Sequence, residues 1–128
     1  MHSYQTRAAT FIVKNPRCAL WIDMGLGKTI TTLTAIDYLF KKRKIKKALI
    51  IAPLRVSRST WPTEIENWEH TARLTYTVLA GLSGSKRAVA LFDDSQIHII
   101  NRENVSWLVD EMGRDWQYDM VVVDESTS

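Results

Sequence analysis

Cysteine is nearly missing from this chain. Cys18 stands alone among 128 residues, so no disulfide can form within it, which fits a reducing compartment. Its place in an apolar run reads as a small core side chain rather than a reactive thiol. Histidine is sparse too, and His2, His70 and His98 show no metal-ligand spacing. No apolar stretch approaches membrane-spanning length, and the amino terminus lacks a signal-peptide core. A cytoplasmic protein without a membrane partner is predicted. Repeats and low-complexity segments are absent too. Charge of one sign is in small excess: 17 Lys and Arg against 14 Asp and Glu leave +3. That balance permits a polyanionic partner without demanding one. What is plentiful is apolar character, at 45%, enough for one ordinary domain with a real core.

The chain is organised around one stretch, Trp21-Ile22-Asp23-Met24-Gly25-Leu26-Gly27-Lys28-Thr29. An apolar run from Cys18 to Ile22 reads as a buried strand. A glycine loop follows at once, and then a helical pattern opens. Strand, loop, Lys-Thr and helix together describe a phosphate-binding loop. Glycine lets backbone N–H groups approach an anion closely, and a helix start adds unpaired N–H groups and the positive end of its dipole. Lys28 would reach the terminal phosphates of a nucleotide, and the Thr29 hydroxyl would hold Mg²⁺. The general pattern has glycine five residues before the Gly-Lys pair; here Ile22 takes that place.

Along the chain, a helix is predicted over 5–14, stopped by Asn15-Pro16. Ile30, Leu33, Ile36, Leu39 and Phe40 mark one face of a second helix, which runs out into the basic stretch Lys41-Lys42-Arg43-Lys44-Ile45-Lys46-Lys47. Ala48-Leu49-Ile50-Ile51-Ala52 is apolar without alternation, as in a parallel strand covered on both faces. Trp61, Ile65 and Trp68, with Pro62 at the first turn, give a short amphipathic helix whose tryptophans belong in the core. A strand over 74–80, a turn over 81–84 and a helix from Ser85 to about Phe92 follow. Then come a strand over 97–100, a helix over 105–116 broken near Gly113, and a last buried strand, Met120-Val121-Val122-Val123, ending in Asp124-Glu125. The alternation predicts an α/β protein: a parallel β-sheet with helices on both faces. Ligands in such folds bind beyond the carboxyl ends of strands, where both the glycine loop and Asp124-Glu125 fall. The basic stretch lies at the opposite, amino end of a strand and reads as a solvated turn. An apolar strand ending in Asp-Glu suits a metal and water role: Asp124 for Mg²⁺, Glu125 for the attacking water.

These residues resemble the first RecA-like domain of a superfamily 2 helicase-type ATPase, nearest to the Swi2/Snf2-related branch of bacteria and phages. Tyr4-Gln5 resembles an adenine-reading glutamine motif. The run from Asp23 through Met24, Gly25, Leu26, Gly27, Lys28 and Thr29, continued by Ile30, resembles that branch's Walker A loop. Ile51-Ala52-Pro53-Leu54-Arg55-Val56, with Trp61 and Trp68, resembles a motif that contacts the nucleic-acid backbone, and Ile100-Asn101-Arg102-Glu103-Asn104 resembles the next. Val123-Asp124-Glu125-Ser126 resembles Walker B, with Ser126-Thr127 where many relatives have Ala-His or Ala-Asp. The resemblance implies a P-loop, RecA-like fold that binds ATP and Mg²⁺ and works on nucleic acid, DNA foremost. Catalysis would fall to Lys28, Asp124 and Glu125, and adenine recognition to Gln5. Met24 to Ile30 would form the cradle, Thr29 and Asp124 the metal contacts, and Arg55, Asn101 and Arg102 the nucleic-acid contacts. At Arg55 the alternatives remain a phosphate contact and a plain surface arginine. The setting would be a bacterial cell or a phage-infected host.

The same resemblance implies two RecA-like domains with arginine fingers from the second, so these residues are expected to be the amino-terminal part of domain 1. It also implies a strand between the Walker A and Walker B strands that this sequence lacks. A slot in the sheet is therefore expected, filled by rearrangement, swapping or pairing of two copies. A nucleotide-sensing module without hydrolysis, and a P-loop small-molecule kinase, are the competing readings. The 128 residues alone should turn over ATP little or not at all. A phosphate-release assay giving the rate of an intact two-domain motor would contradict this.

Overall fold

The computed structural model describes residues 18–22, 28–68 and 73–124. The expected helix over 5–14, the loop residues Met24, Gly25, Leu26 and Gly27, and Glu125 lie outside the described residues. Five strands form one sheet: β1 (Cys18–Ile22), β2 (Ala48–Ala52), β3 (Tyr76–Val78), β4 (Ile97–Asn101) and β5 (Met120–Asp124). Their order is β1-β5-β2-β4-β3, and every neighbouring pair is parallel. Parallel neighbours need crossovers, and helices supply them: α1 (Lys28–Lys41), α2 (Trp61–Asn67), α3 (Gly84–Ala90) and α4 (Val105–Met112).

Side chains alternate across a strand, and the two cores follow that alternation. Ala48, Ile50 and Ala52 of β2, with Met120 and Val122 of β5, pack under Leu33 and Ile36 of α1 and under Trp61 and Ile65 of α2. Leu49, Ile51, Val121 and Val123 face the other way, against Leu108, Val109 and Met112 of α4. All residues of β2, β4 and β5 are buried, which is why these strands read as unbroken apolar runs. Gly113 ends α4 at φ +48, a conformation that suits a residue without Cβ.

One expectation fails. β1 pairs directly with β5, in register from Cys18 opposite Met120 to Ile22 opposite Asp124. The sheet has no slot between the two strands, because β5 uses one edge for β1 and the other for β2. The reason for expecting a swapped or paired copy goes with it. Two smaller corrections concern helices. The helix after the turn starts at Gly84, with Ser83 rather than Ser85 at the cap position. Trp68 is not in the core: α2 ends at Asn67, Trp68 turns extended at φ −102°, ψ 128° and is 44% exposed, its indole donating to Glu64. Leaving the helix takes it off the stripe that carries Trp61 and Ile65.

The amino edge of the sheet is tied together by polar bonds. Asp119 Oδ2 accepts from the Lys46 and Lys47 N–H groups, at 2.7 and 3.2 Å. Gln96 passes its carbonyl to Ala48 N–H and exchanges bonds with Thr75. The basic stretch does lie at this edge. Most of it is exposed, but Lys47 is buried and donates to the Asp93 carbonyl at 2.7 Å. His98, fully buried, sits beside it. Its Nε2 contacts the same Asp93 carbonyl at 3.0 Å and so must carry the proton; Nδ1 then accepts from the Tyr118 hydroxyl at 2.7 Å. Burial, and next the Lys47 charge, pull the imidazole down to about 4, against the opposing pull of Asp93.

That depression has a sign. Below about pH 6.5 the unfolded chain takes up a proton at His98 that the folded chain refuses until about pH 4. The contribution is fully present above the unfolded value and is lost as pH falls through the folded one. Denaturant melts from pH 7 to pH 4 should show a loss of roughly 3 kcal/mol from this residue. His98→Gln should lower stability at pH 7 and flatten the slope between these limits.

Candidate functional site

Among the described residues, Asn101 and Asp124 end strands at the carboxyl edge of the sheet, and Arg55 and Arg102 follow strand ends there. Ile22 and Asp124 are register partners at the ends of β1 and β5, and Ala52 and Asn101 are partners at the ends of β2 and β4. From Ile22 the chain enters the glycine loop and re-emerges at Lys28, where Lys28, Thr29 and Ile30 open α1. Asp124 follows Val122 by two residues, so it faces the side of the sheet that α1 covers. The end of β1 and Asp124 thus share one edge, and Asp124 faces the side that α1 covers.

Asp124 is fully buried. A carboxylate there needs hydrogen-bond donors to offset its lost hydration. The Trp61 indole N–H is one, at 3.0 Å from Oδ2. Arg102 bonds the same residue from the other side of the peptide, donating from Nη2 to the Asp124 carbonyl at 2.8 Å. Asn101 is buried, and its Oδ1 accepts from Asn104 at 2.9 Å. Arg102 therefore ties the turn after β4 to the end of β5, while Asn101 fastens the end of β4 to that turn.

Arg55 lies elsewhere on this edge, exposed. The chain is helical from 54 onward, and Val56–Thr60 winds as a π-helix before α2. Pro62 explains the wide turn. Its ring crowds the carbonyl four residues back, at Arg58, and it has no N–H to give. The ladder shifts instead to the wider spacing, with Trp61 N–H bonding the Val56 carbonyl. Ser57 fastens this turn to the sheet: buried, its hydroxyl lies 3.1 Å from the Ala52 carbonyl and 3.2 Å from that of Ile100. On the outside, Leu54, Arg55, Arg58 and Ser59 line an open cleft of about 430 Å³. The Arg58 side chain lies across Gly81, whose added Cβ would meet Arg58 Cδ at 3.0 Å.

Reading the sequence had missed Arg58, Ser57 and the Trp61–Asp124 bond. Arg58 had a signal in its three-residue spacing from Arg55 just past a strand end. Trp61 had a weaker one: a buried indole needs an acceptor, and Asp124 ends a buried strand. Ser57 had none.

A parallel α/β sheet with helical crossovers and an acid at the end of its interior strand β5 is of the RecA-like class of architecture. The match is wider than the fold. A family model described as the SNF2-related domain covers residues 4–128, and the chain belongs to that family. It is 34% identical over 125 residues to putative protein p41 of Acyrthosiphon pisum secondary endosymbiont phage 1, covering 97% of this chain and 27% of that protein. Over 52 residues, 40% of this chain and 3% of the other, it is 40% identical to the transcription regulatory protein SNF2 of Saccharomyces cerevisiae. Over 56 residues it is 39% identical to human chromodomain-helicase-DNA-binding protein 1, covering 43% of this chain and 3% of the relative. The chain therefore spans about a quarter of the first of these relatives and far less of the others.

Gly81 stands at φ +80 with Arg58 against it. Gly81→Ala should cost about 1–2 kcal/mol in denaturant unfolding and displace the Arg58 guanidinium.

Proposed function

We propose that these residues form the ATP-binding part of a nucleic-acid-dependent ATPase, a DNA translocase or helicase. The observation that carries the reading is the register pairing of Ile22 with Asp124. It sets the end of β1, which the glycine segment follows in the sequence, beside a buried acid. Membership of the SNF2-related family and the word helicase in one relative's name support it.

The residue types in this stretch of sequence suit a magnesium nucleotide. Met24 to Gly27 and the opening of α1 would offer backbone N–H groups to phosphate oxygens, and Lys28 would neutralise their charge. Magnesium keeps several waters and needs few protein oxygens; the Thr29 hydroxyl and the Asp124 carboxylate would supply them. Bound ATP and Mg²⁺ bring the phosphoryl group to be transferred and charge neutralisation at its oxygens. Glu125, next in the chain, takes the proton from the attacking water at its carboxylate. Gln5 reads the adenine edge through its amide. Arg55 holds a phosphate of the nucleic-acid strand, and Asn101 and Arg102 shape the edge along which that strand runs. Turnover requires a second RecA-like domain closing over the nucleotide, in keeping with the short share of the phage relative that this chain spans. The protein acts in the cytoplasm of a bacterial cell or phage-infected host.

The test uses the complete gene product. Lys28→Ala should weaken binding of magnesium ATP at least about tenfold by calorimetry. Glu125→Gln should keep binding and lower DNA-stimulated kcat by about 10²–10⁴. ATP binding that ignores Lys28, or hydrolysis that requires a small hydroxylated acceptor and ignores DNA, would remove the reading.

A further inference from the structure

We propose that Trp61 is a positioning residue that relays nucleic-acid contact at the Arg55–Arg58 cleft to the Asp124 carboxylate. The inference rests on the ATPase reading above and adds the path by which one site is felt at the other. Trp61 belongs to both. Its backbone N–H closes the π turn by bonding the Val56 carbonyl, and that turn carries Arg58. Its indole N–H, on the inner side, holds Asp124 Oδ2 at 3.0 Å. Arg55, Arg58, Leu54 and Ser59 line the outer side and are exposed.

The two ends differ in how firmly they are held. The indole is fully buried among Leu33, Ile36 and Ile65. Ser57 pins the turn where β2 and β4 end, and Pro62 fixes the backbone just after Trp61. The turn in between is π-wound and faces an open cleft of about 430 Å³. A phosphate drawn between two guanidinium groups therefore acts on a wide turn anchored at both ends. The residue at its carboxyl end also carries the donor on the acid. The Arg58 side chain itself lies across Gly81, whose added Cβ would meet Arg58 Cδ at 3.0 Å.

Linkage supplies the test, because a relay makes each ligand change the other's affinity by the same factor. A short fluorescein-labelled DNA duplex is titrated by anisotropy onto the full-length protein, with and without saturating magnesium adenylyl-imidodiphosphate. The wild type should show the nucleotide changing duplex affinity by about fivefold or more. Trp61→Phe keeps the ring and drops the donor. Whatever its duplex affinity without nucleotide, the ratio of affinities with and without nucleotide is the readout, and that coupling factor should fall to within about twofold of one. A factor equal to the wild type's, or no coupling in the wild type while both ligands bind, overturns the relay and leaves the ATPase reading standing. If neither ligand binds, both fall. Should Trp61→Phe not fold, the wild type decides: the Trp61 indole N–H resonance must move when duplex alone is added, and a resonance that stays put overturns the proposal.

Discussion

β5 lies between β1 and β2 and is bonded to both in register, and a strand can turn its side chains only alternately to its two faces. Met120 and Val122 are committed to the core under α1 by their burial. The acid two residues further on is therefore committed to that same side, at the edge where the glycine loop departs. A slip of one residue would send Asp124 toward α4 and exchange both apolar faces of the strand. Burying Met120 and Val122 stabilises the fold by roughly 1.5–3 kcal/mol each, and that burial is also what orients the acid.

Much of this was legible in the residues. The unbroken runs at 48–52 and 120–123 announced strands covered on both faces, and β2 and β5 are such strands. The spacing of Leu33 and Ile36 announced the face of α1, and both are fully buried. The strand order was not legible. Hydrophobic pattern says that a strand is central but not which neighbours it takes, and the family resemblance pointed to a gap where β1 meets β5. Trp68 was misread because a helical stripe says nothing of where the helix stops.

At the site, sequence located the elements but not their wiring. Arg55 could be found by its place after a strand end, and it is exposed beside a cleft. Arg102 looked the same on paper, yet its Nη2 donates to the Asp124 carbonyl. Hydrogen bonds between residues 22 or 63 positions apart, as with Arg102 and Trp61 onto Asp124, leave no periodic trace. The π turn could have been suspected from Pro62, because a proline one turn into a helical pattern must cost a bond somewhere.

The polar ties at the amino edge bear on the far end of the molecule. Asp119, Lys47, Gln96 and Thr75 link the entries of β5, β2, β4 and β3 in a row. Each strand then rises by about 3.3 Å per residue, so strands that start level finish level. The alignment of Asn101, Ala52 and Asp124 is thus set a full strand length away, by residues that no ligand at the site would touch. Damage at that distant rim would surface as misaligned chemistry with every reacting group still present.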